Sequence, residues 1–380
     1  MDWLLGSKQS QAKKLISQLA DAAKRDQAAR ELIKLGVDAV PPLIDALQTQ
    51  DLNLLPVYQH LLARIPSALP QLIKSLATAH PLVRARVAEI FGISRDKSAI
   101  PALLDAAKGE FFTVRSRAAL ALSQIGDGSV IPALFPLLKD KEDEVRIAAC
   151  TAIGSFRDPS TFDELTNVLL DDSKIEVRQA AAKTLGETRH PAAIPFLMEA
   201  LRDSYWWYEK EQAAQVLLNA IENMGSAVVQ PLIEALGDRE VTVRKFAAII
   251  LGNLRDARAM EELGMAVYDL HHEVSQTAAE ALAKFGAPAV GVLSEALRHP
   301  EAAVREHAVI GLSQIKDTRV TPLLVEKLRD PDRTVRKQTI ISLANLHDSR
   351  AESALKEIAN NRTDRELSAL AKQLIETNKA

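Results

Sequence analysis

The chain has 380 residues, of which 47% are hydrophobic and 26% are charged. This composition excludes a disordered chain, and no stretch approaches the roughly 18 uninterrupted apolar residues of a membrane-spanning helix. The formal net charge of −3 excludes a general attraction to nucleic acid or anionic membranes. A single cysteine, Cys150, excludes an internal disulfide framework, so we expect a reducing, cytoplasmic location.

The dipeptide Val-Arg recurs along the chain at nearly constant spacing. Successive copies are 31, 31, 32, 66, 61 and 31 residues apart. The two doubled gaps indicate degenerate copies at Lys210-Glu211 and Val274-Ser275. The same register extends back to about Arg25 and forward to Glu366, which predicts about twelve units. The arginines of this row are Arg84, Arg115, Arg146, Arg178, Arg244, Arg305 and Arg336.

Each unit predicts two helices joined by a polar turn. The unit at 99–126 begins with an apolar helix, continues through a turn and resumes at Val114-Arg115, with apolar residues three and four apart in both helices. Proline is predicted in the first turn of the first helices, at Pro101, Pro132, Pro195 and Pro322. Glycine is predicted to end the second helices in a left-handed conformation, at Gly126, Gly154, Gly186, Gly252 and Gly286. Aspartate is predicted to cap the next first helix, at Asp127, Asp158, Asp256, Asp317 and Asp348.

These units predict an all-α fold, because no alternating β pattern is present. One helical pair cannot bury its apolar face alone, and stacking of neighbouring pairs buries it. We therefore predict a single right-handed α-solenoid, or α-α superhelix, over 1–380, built from about twelve helical hairpins of ~31 residues. Its predicted parts are irregular N-terminal repeats at 1–66, regular repeats at 67–350 and a C-terminal capping repeat at 351–380.

The motif of Val-Arg, a run of small residues and a closing glycine, seen at 145–154 and 177–186, resembles the HEAT-like repeats of the phycobilisome lyase type. The resemblance covers about residues 8–376. It implies the solenoid fold. It implies function less directly, because such repeats serve as adaptors, as assembly factors and occasionally as enzymes.

Two enzymatic relatives define the catalytic alternatives. The resemblance to deoxyhypusine hydroxylases implies several His-Glu pairs that hold two irons, but only His272-Glu273 has that order here, and Glu306-His307 is reversed. One pair does not supply a di-iron centre, so no metal or cofactor site is predicted. Some phycobilin lyases carry a Tyr/Trp-rich motif, which the segment 205–208 looks like. A lyase-like or metal-dependent hydroxylase-like enzyme is the catalytic alternative.

Bulky side chains interrupt the polar turns of three units. They are Phe111 and Phe112, the cluster Tyr205, Trp206, Trp207 and Tyr208, and the pair His271 and His272. Because turns stack along a solenoid, we expect these groups to line one edge, about 30 and 20 Å apart. Trp and Tyr are enriched at binding hot spots, so we predict contact with a partner protein. The alternative is that the aromatics pack over a degenerate repeat.

The arginine row predicts an internal ladder. Each repeat also supplies a turn acid, namely Asp140, Asp171, Asp203, Asp238 or Asp330. Pairing between adjacent repeats explains both sets without a ligand, whereas a nucleic-acid track would need accessible cations. Cys150 is predicted to be a buried core thiol. Together these features favour a non-catalytic scaffold that binds another protein, with nucleic-acid binding as a second alternative and no membrane partner.

Overall fold

The computed structural model of the protein describes residues 2–204, 206, 211–346, 348–361 and 363–377. All regular structure in these residues is helical, with no strand among them. The chain divides into two compact units, Met1–Phe196 (unit 1) and Leu197–Ala380 (unit 2). The prediction of an all-helical repeat array is confirmed.

The helices alternate between the first and the second member of each pair, so odd numbers denote first helices and even numbers second helices. Unit 1 contains α1 (Asp2–Gln18), α2 (Arg25–Leu35), α3 (Val40–Ala46), α4 (Leu55–Arg64), α5 (Leu69–Thr78), α6 (Pro81–Ser94), α7 (Ile100–Ala106), α8 (Phe112–Ile125), α9 (Ile131–Leu134), α10 (Asp143–Ser155), α11 (Phe162–Asp171) and α12 (Ile175–Thr188). The helix α13 (Ile194–Arg202) contains the boundary between the units.

Unit 2 continues with α14 (Glu211–Glu222), α15 (Val229–Ala235), α16 (Val241–Leu254), α17 (Met260–Ala266), α18 (His272–Ala283), α19 (Val290–Ala296), α20 (Ala302–Ser313), α21 (Val320–Lys327), α22 (Arg333–Ala344), α23 (Ser349–Asn360) and α24 (Arg365–Thr377). Short 3-10 turns precede many first helices, among them Gly128–Val130 before α9 and Ala257–Ala259 before α17.

The first helices begin at the prolines and aspartates that the sequence predicted. Pro101 and Pro132 occupy the first turns of α7 and α9, where the missing N–H leaves no bond unmade. The Asp127 carboxylate accepts the Ser129 N–H at 3.1 Å and so caps the turn that leads into α9. The other predicted aspartates accept the N–H two residues on in the same way: Asp158, Asp256, Asp317 and Asp348.

The end of the second helices differs from the prediction at three glycines. Gly154, Gly186 and Gly252 lie inside their helices. The left-handed conformation is adopted three residues later instead, at Arg157, Arg189 and Arg255, with φ of 51°, 52° and 51°. Only Gly126 and Gly286 of the predicted set have positive φ, at 76° and 71°.

Close packing explains a glycine inside a second helix. A Cβ on Gly252 would stand 2.7 Å from the Cβ and 2.8 Å from the Cα of Ala281 on α18. Real Cβ atoms do not approach a neighbour so closely, so the absent side chain lets α16 and α18 touch. Second helices of consecutive repeats pack against one another in this way within each unit, whereas first helices contact one another little.

Candidate functional site

The arginine of the Val-Arg motif joins one repeat to the next. Arg115 donates from Nε and Nη2 to the two carboxylate oxygens of Asp140, at 2.7 Å each. Its Nη1 donates to the carbonyls of Gly109 and Glu110 in its own turn, at 3.0 and 2.7 Å. The guanidinium therefore ties its own inter-helix turn to that of the following repeat. We call this arrangement the arginine joint.

The same joint recurs in both units. In unit 1, Arg146 pairs with Asp172 at 2.7 Å; in unit 2, Arg244 pairs with Asp269 at 2.6 Å and Arg305 with Asp330 at 2.7 Å. The acid beside Arg146 is thus Asp172 rather than the predicted Asp171. Asp238, predicted as a ladder acid, pairs with Arg202 from a first helix at 2.9 Å.

The joints are largely buried. The side chain of Arg305 is 9% exposed and that of Asp330 is 1% exposed. Burial alone would raise the pKa of Asp330, but hydrogen bonds from Arg305 and from the Asp332 N–H hold that pKa below its ordinary value. A buried, bidentate pair of this kind has its donors committed to the fold.

The remaining three arginines of the row also donate to backbone carbonyls of their own repeat. Arg178 donates from Nε to the Asp172 carbonyl at 2.6 Å. Arg336 donates from Nη1 to the Asp330 carbonyl at 2.7 Å. Arg84 donates from Nε to the Leu76 carbonyl at 2.7 Å, and its guanidinium carbon lies 5.7 Å from the centroid of the Phe111 ring.

A serine and a histidine replace the joint in the degenerate copy at Val274-Ser275. The Ser275 hydroxyl donates to the Val267 carbonyl at 2.5 Å, so it accepts from the Nδ1–H of His307 at 2.7 Å. The His307 ring meets the His272 ring edge-on at 5.4 Å. Burial, followed by the nearby His272, lowers the pKa of His307, which is only 5% exposed. Here a serine holds the arginine position, and a hydrogen bond to a histidine of the next second helix links the two repeats.

The predicted turn residues lie in different environments. Phe111 and Phe112 stand where α8 begins and are 37% and 38% exposed. His271 precedes α18, and its ring contacts Asp269 and Arg244. His272 packs on His307. These pairs belong to different units, Phe111 and Phe112 to unit 1 and the histidines to unit 2.

One residue of the aromatic cluster, Trp206, lies among the described residues. Trp206 is helical and fully buried, and within the described residues its indole N–H has no hydrogen-bond partner. The burial of Trp206 favours the alternative that this ring packs within the degenerate repeat. Tyr205, Trp207 and Tyr208 lie outside the described residues.

Equivalent grooves lie between neighbouring first helices of each unit. The unit 1 groove, of about 690 Å³, is lined by polar and charged residues that include Lys139, Arg146, Glu164 and Asn167. The unit 2 groove, of about 450 Å³, lies between α15 and α17, where Met265 holds the position of Asn167. Met265 is 63% exposed and Leu270, in the next turn, is 89% exposed. Sequence reasoning overlooked both residues because single apolar residues at turn edges carry no periodic signal.

The family model for HEAT repeats matches residues 69–145, 131–218, 229–296 and 290–376. The chain belongs to the HEAT repeats family. A comparison with the curated proteins gave no match. The resemblance inferred from the Val-Arg motif is confirmed.

Solved structures similar to this HEAT-repeat chain have different functions. The complex of CpcE and CpcF of phycocyanin lyase from Nostoc sp. PCC7120 is 19% identical, with 58% of this chain and 91% of that chain covered and a TM-score of 0.35. Human deoxyhypusine hydroxylase is 22% identical, with coverages of 68% and 98% and a TM-score of 0.31. Kap121p bound to Nup53p is 14% identical, with coverages of 97% and 48% and a TM-score of 0.58. At 14% identity the likeness to Kap121p shows the fold alone.

Three features of the HEAT repeats bear on metal, thiol and membrane chemistry. The described residues contain no group of three or more His, Cys, Asp or Glu side chains placed to hold a metal ion. Cys150 is fully buried, as predicted, and burial raises the pKa of its thiol to about 12. In the described part of the chain no single helix could cross a membrane, although the bent pair Ala214–Glu222 and Gly225–Ala235 meets the length and composition criteria jointly.

Proposed function

We propose that the chain is a non-catalytic scaffold that binds a partner protein through exposed side chains in its inter-helix turns. The observation that carries the proposal is the exposure of Phe111 and Phe112, at 37% and 38%, beside joints whose own side chains are buried. Large apolar groups at the surface of a helical array are otherwise costly, and exposed apolar patches commonly mark interaction sites.

The surroundings of Phe111 support a binding role. The position that carries the joint acid in other repeats is Gly109 here, so Arg84 has no carboxylate partner among the described residues. Its guanidinium lies over the Phe111 ring instead. Phe111, Phe112 and Arg84 form what we call the Phe patch. Aromatic residues and arginine are the types enriched in protein interfaces.

Two further considerations support a protein as the ligand. The solved arrays of similar fold include Kap121p bound to Nup53p and Kap121p bound to Pho4p. The nucleic-acid alternative requires accessible cations, whereas the side chains of Arg115, Arg146 and Arg244 are 8%, 11% and 11% exposed and are paired internally.

The test is affinity capture with the full chain as bait, followed by mass spectrometry. The double variant F111S/F112S is expected to lose the proteins that the unchanged chain captures, because both rings are truncated. The control E142S/D143S alters the same two turn positions in the next repeat and is expected to retain them. Circular dichroism checks that both variants keep their helices. Equal capture by F111S/F112S and the control would overturn the Phe patch as the binding site.

A further inference from the structure

The unit 2 groove has a chemistry that its counterpart in unit 1 lacks. Ile233 on α15 and Leu236 directly after it form one apolar wall, and the exposed Met265 on α17 lines the other side. The acids at its edge are Glu234 and Glu262, both exposed. Among the described residues that line the groove there is no lysine or arginine.

The remaining acid of the groove is already engaged. The Asp269 carboxylate accepts from Arg244 at 2.6 Å and from the His271 N–H at 2.8 Å. Glu262 has no cationic partner within the described part of the chain, and Glu234 accepts only a long hydrogen bond of 3.4 Å from Gln230. The negative charge that Glu234 and Glu262 present is therefore available to a ligand.

Glu262 and Met265 are three residues apart on α17, so they share one face of that helix. Leu270 follows in the turn and is 89% exposed. The groove therefore offers an apolar contact and negative charge side by side. In unit 1 the equivalent groove has the polar Asn167 in place of Met265, and two cations, Lys139 and Arg146, are among its lining residues beside Leu138 and Val168. It therefore lacks the exposed methionine and, unlike the unit 2 groove, contains positive charge.

We propose that the unit 2 groove binds an extended segment of a partner protein in which lysine or arginine residues flank one apolar side chain. The apolar side chain packs on Met265 and Ile233, which both line the groove, and the cations lie against Glu234 and Glu262. Charge complementarity requires the ligand to be positively charged. The contact with Met265 determines where its apolar side chain lies. This inference rests on the proposed scaffold function and names the chemistry of one partner segment.

The experiment measures fluorescence anisotropy with the full chain and short labelled peptides at low ionic strength. The probe has a central leucine flanked by pairs of lysines. Three comparison peptides replace the leucine by glycine, the lysines by serine, or the lysines by glutamate. The proposal predicts binding of the first peptide, weakening as salt rises because exposed charges are screened, and weaker binding of the other three.

Variants locate the binding. M265S is expected to lower the affinity for the leucine-lysine peptide by at least about tenfold, which is the range that loss of an apolar contact in a pocket produces. E234Q/E262Q is expected to lower the same affinity and to make it less dependent on salt concentration. The matched controls N167S and E164Q alter the unit 1 groove and are expected to leave the affinity unchanged.

Each other outcome overturns the proposal. Equal binding of the glycine peptide with no effect of M265S would mean general attraction to cations, and equal binding of the serine peptide would mean a purely apolar ligand. Absence of peptide binding, or unchanged binding by both variants, would remove the groove as a site. None of these results alters capture through the Phe patch, so failure of the groove and failure of the scaffold function are distinguishable.

Discussion

In unit 2 the second helices α16, α18 and α20 have 14, 12 and 12 residues, whereas the first helices α15, α17 and α19 have seven residues each. The second helices approach so closely that Gly252 faces Ala281 with no room for a Cβ. The first helices leave the unit 2 groove between α15 and α17.

This difference indicates that the second helices hold the repeats together, whereas the first helices and the turns provide surfaces for binding. The second helices carry the arginine joints and the close glycine contacts, so their residues are constrained by neighbours on both sides. The first helices and the turns bear fewer such constraints, and there the repeats differ, with Asn167 in one groove and Met265 in the other. Binding surfaces on rigid scaffolds commonly lie in the less constrained elements.

The largest expected effect tests cohesion at a joint. D330N keeps an oxygen for the Asp332 N–H but leaves Arg305 as a buried charge without its counterion. We expect local stability to fall by about 3–5 kcal/mol, the usual cost of breaking a buried pair from one side. Hydrogen exchange across α20 and α22 measures it.

Two further variants test the cause of that loss. R305M/D330L removes both charges and is expected to recover most of the lost protection. E326Q changes an exposed acid on α21 and is expected to stay within about 0.5 kcal/mol of the unchanged chain. A loss below about 1 kcal/mol in D330N would mean that the joint adds little to cohesion.

An intermediate effect is expected from replacing glycine by alanine, once in a second helix and once in a first helix. G252A forces α16 away from α18, at a cost of about 1–3 kcal/mol that the better helix propensity of alanine offsets by about 1 kcal/mol. G291A lies on α19, where an added Cβ meets no atom within 4 Å, and is expected to stabilise by up to about 1 kcal/mol. Urea unfolding followed by circular dichroism measures both. The same sign of change in both variants would contradict the division between layers.

The smallest expected effect concerns the buried pair of Ser275 and His307. Because the pKa of folded His307 is lowered, the unfolded chain binds a proton first as the pH falls. The free energy of unfolding should therefore decrease as the pH falls through the ordinary histidine pKa of about 6.5. The groups facing His307 are Ser275, His272 and Glu280. Unfolding of H307Q between pH 7.5 and pH 5.5 should show a smaller slope; an unchanged slope would exclude His307 as its source.

The repeat register carried most of the information about the fold. The Val-Arg spacing identified where the regular second helices begin. The prolines and aspartates identified where first helices start, because these residues act on backbone groups within a few positions. The burial of Cys150 followed from its place in the same register. Local rules of this kind can be read without knowing which helix lies next to which.

The candidate sites depended on the register in a weaker way. It placed Phe111 and Phe112 at a turn, where both are part-exposed. It also assigned a turn position to the aromatic cluster, yet Trp206 is buried. Exposure depends on how far the chain folds back over a neighbouring repeat, and a motif of four aromatic residues contains no information about that.

The sequence by itself determined the helical pairs, their period and the arginine in the first turns of seven second helices, since periodicity and capping are properties of short segments. Only the tertiary structure decided that Asp172 rather than Asp171 accepts Arg146, and that Gly252 serves contact with α18 rather than helix termination. The same holds for the pairing of Ser275 with His307 across 32 residues. Each of these depends on the approach of two repeats to within hydrogen-bond or van der Waals distance, which no single repeat encodes.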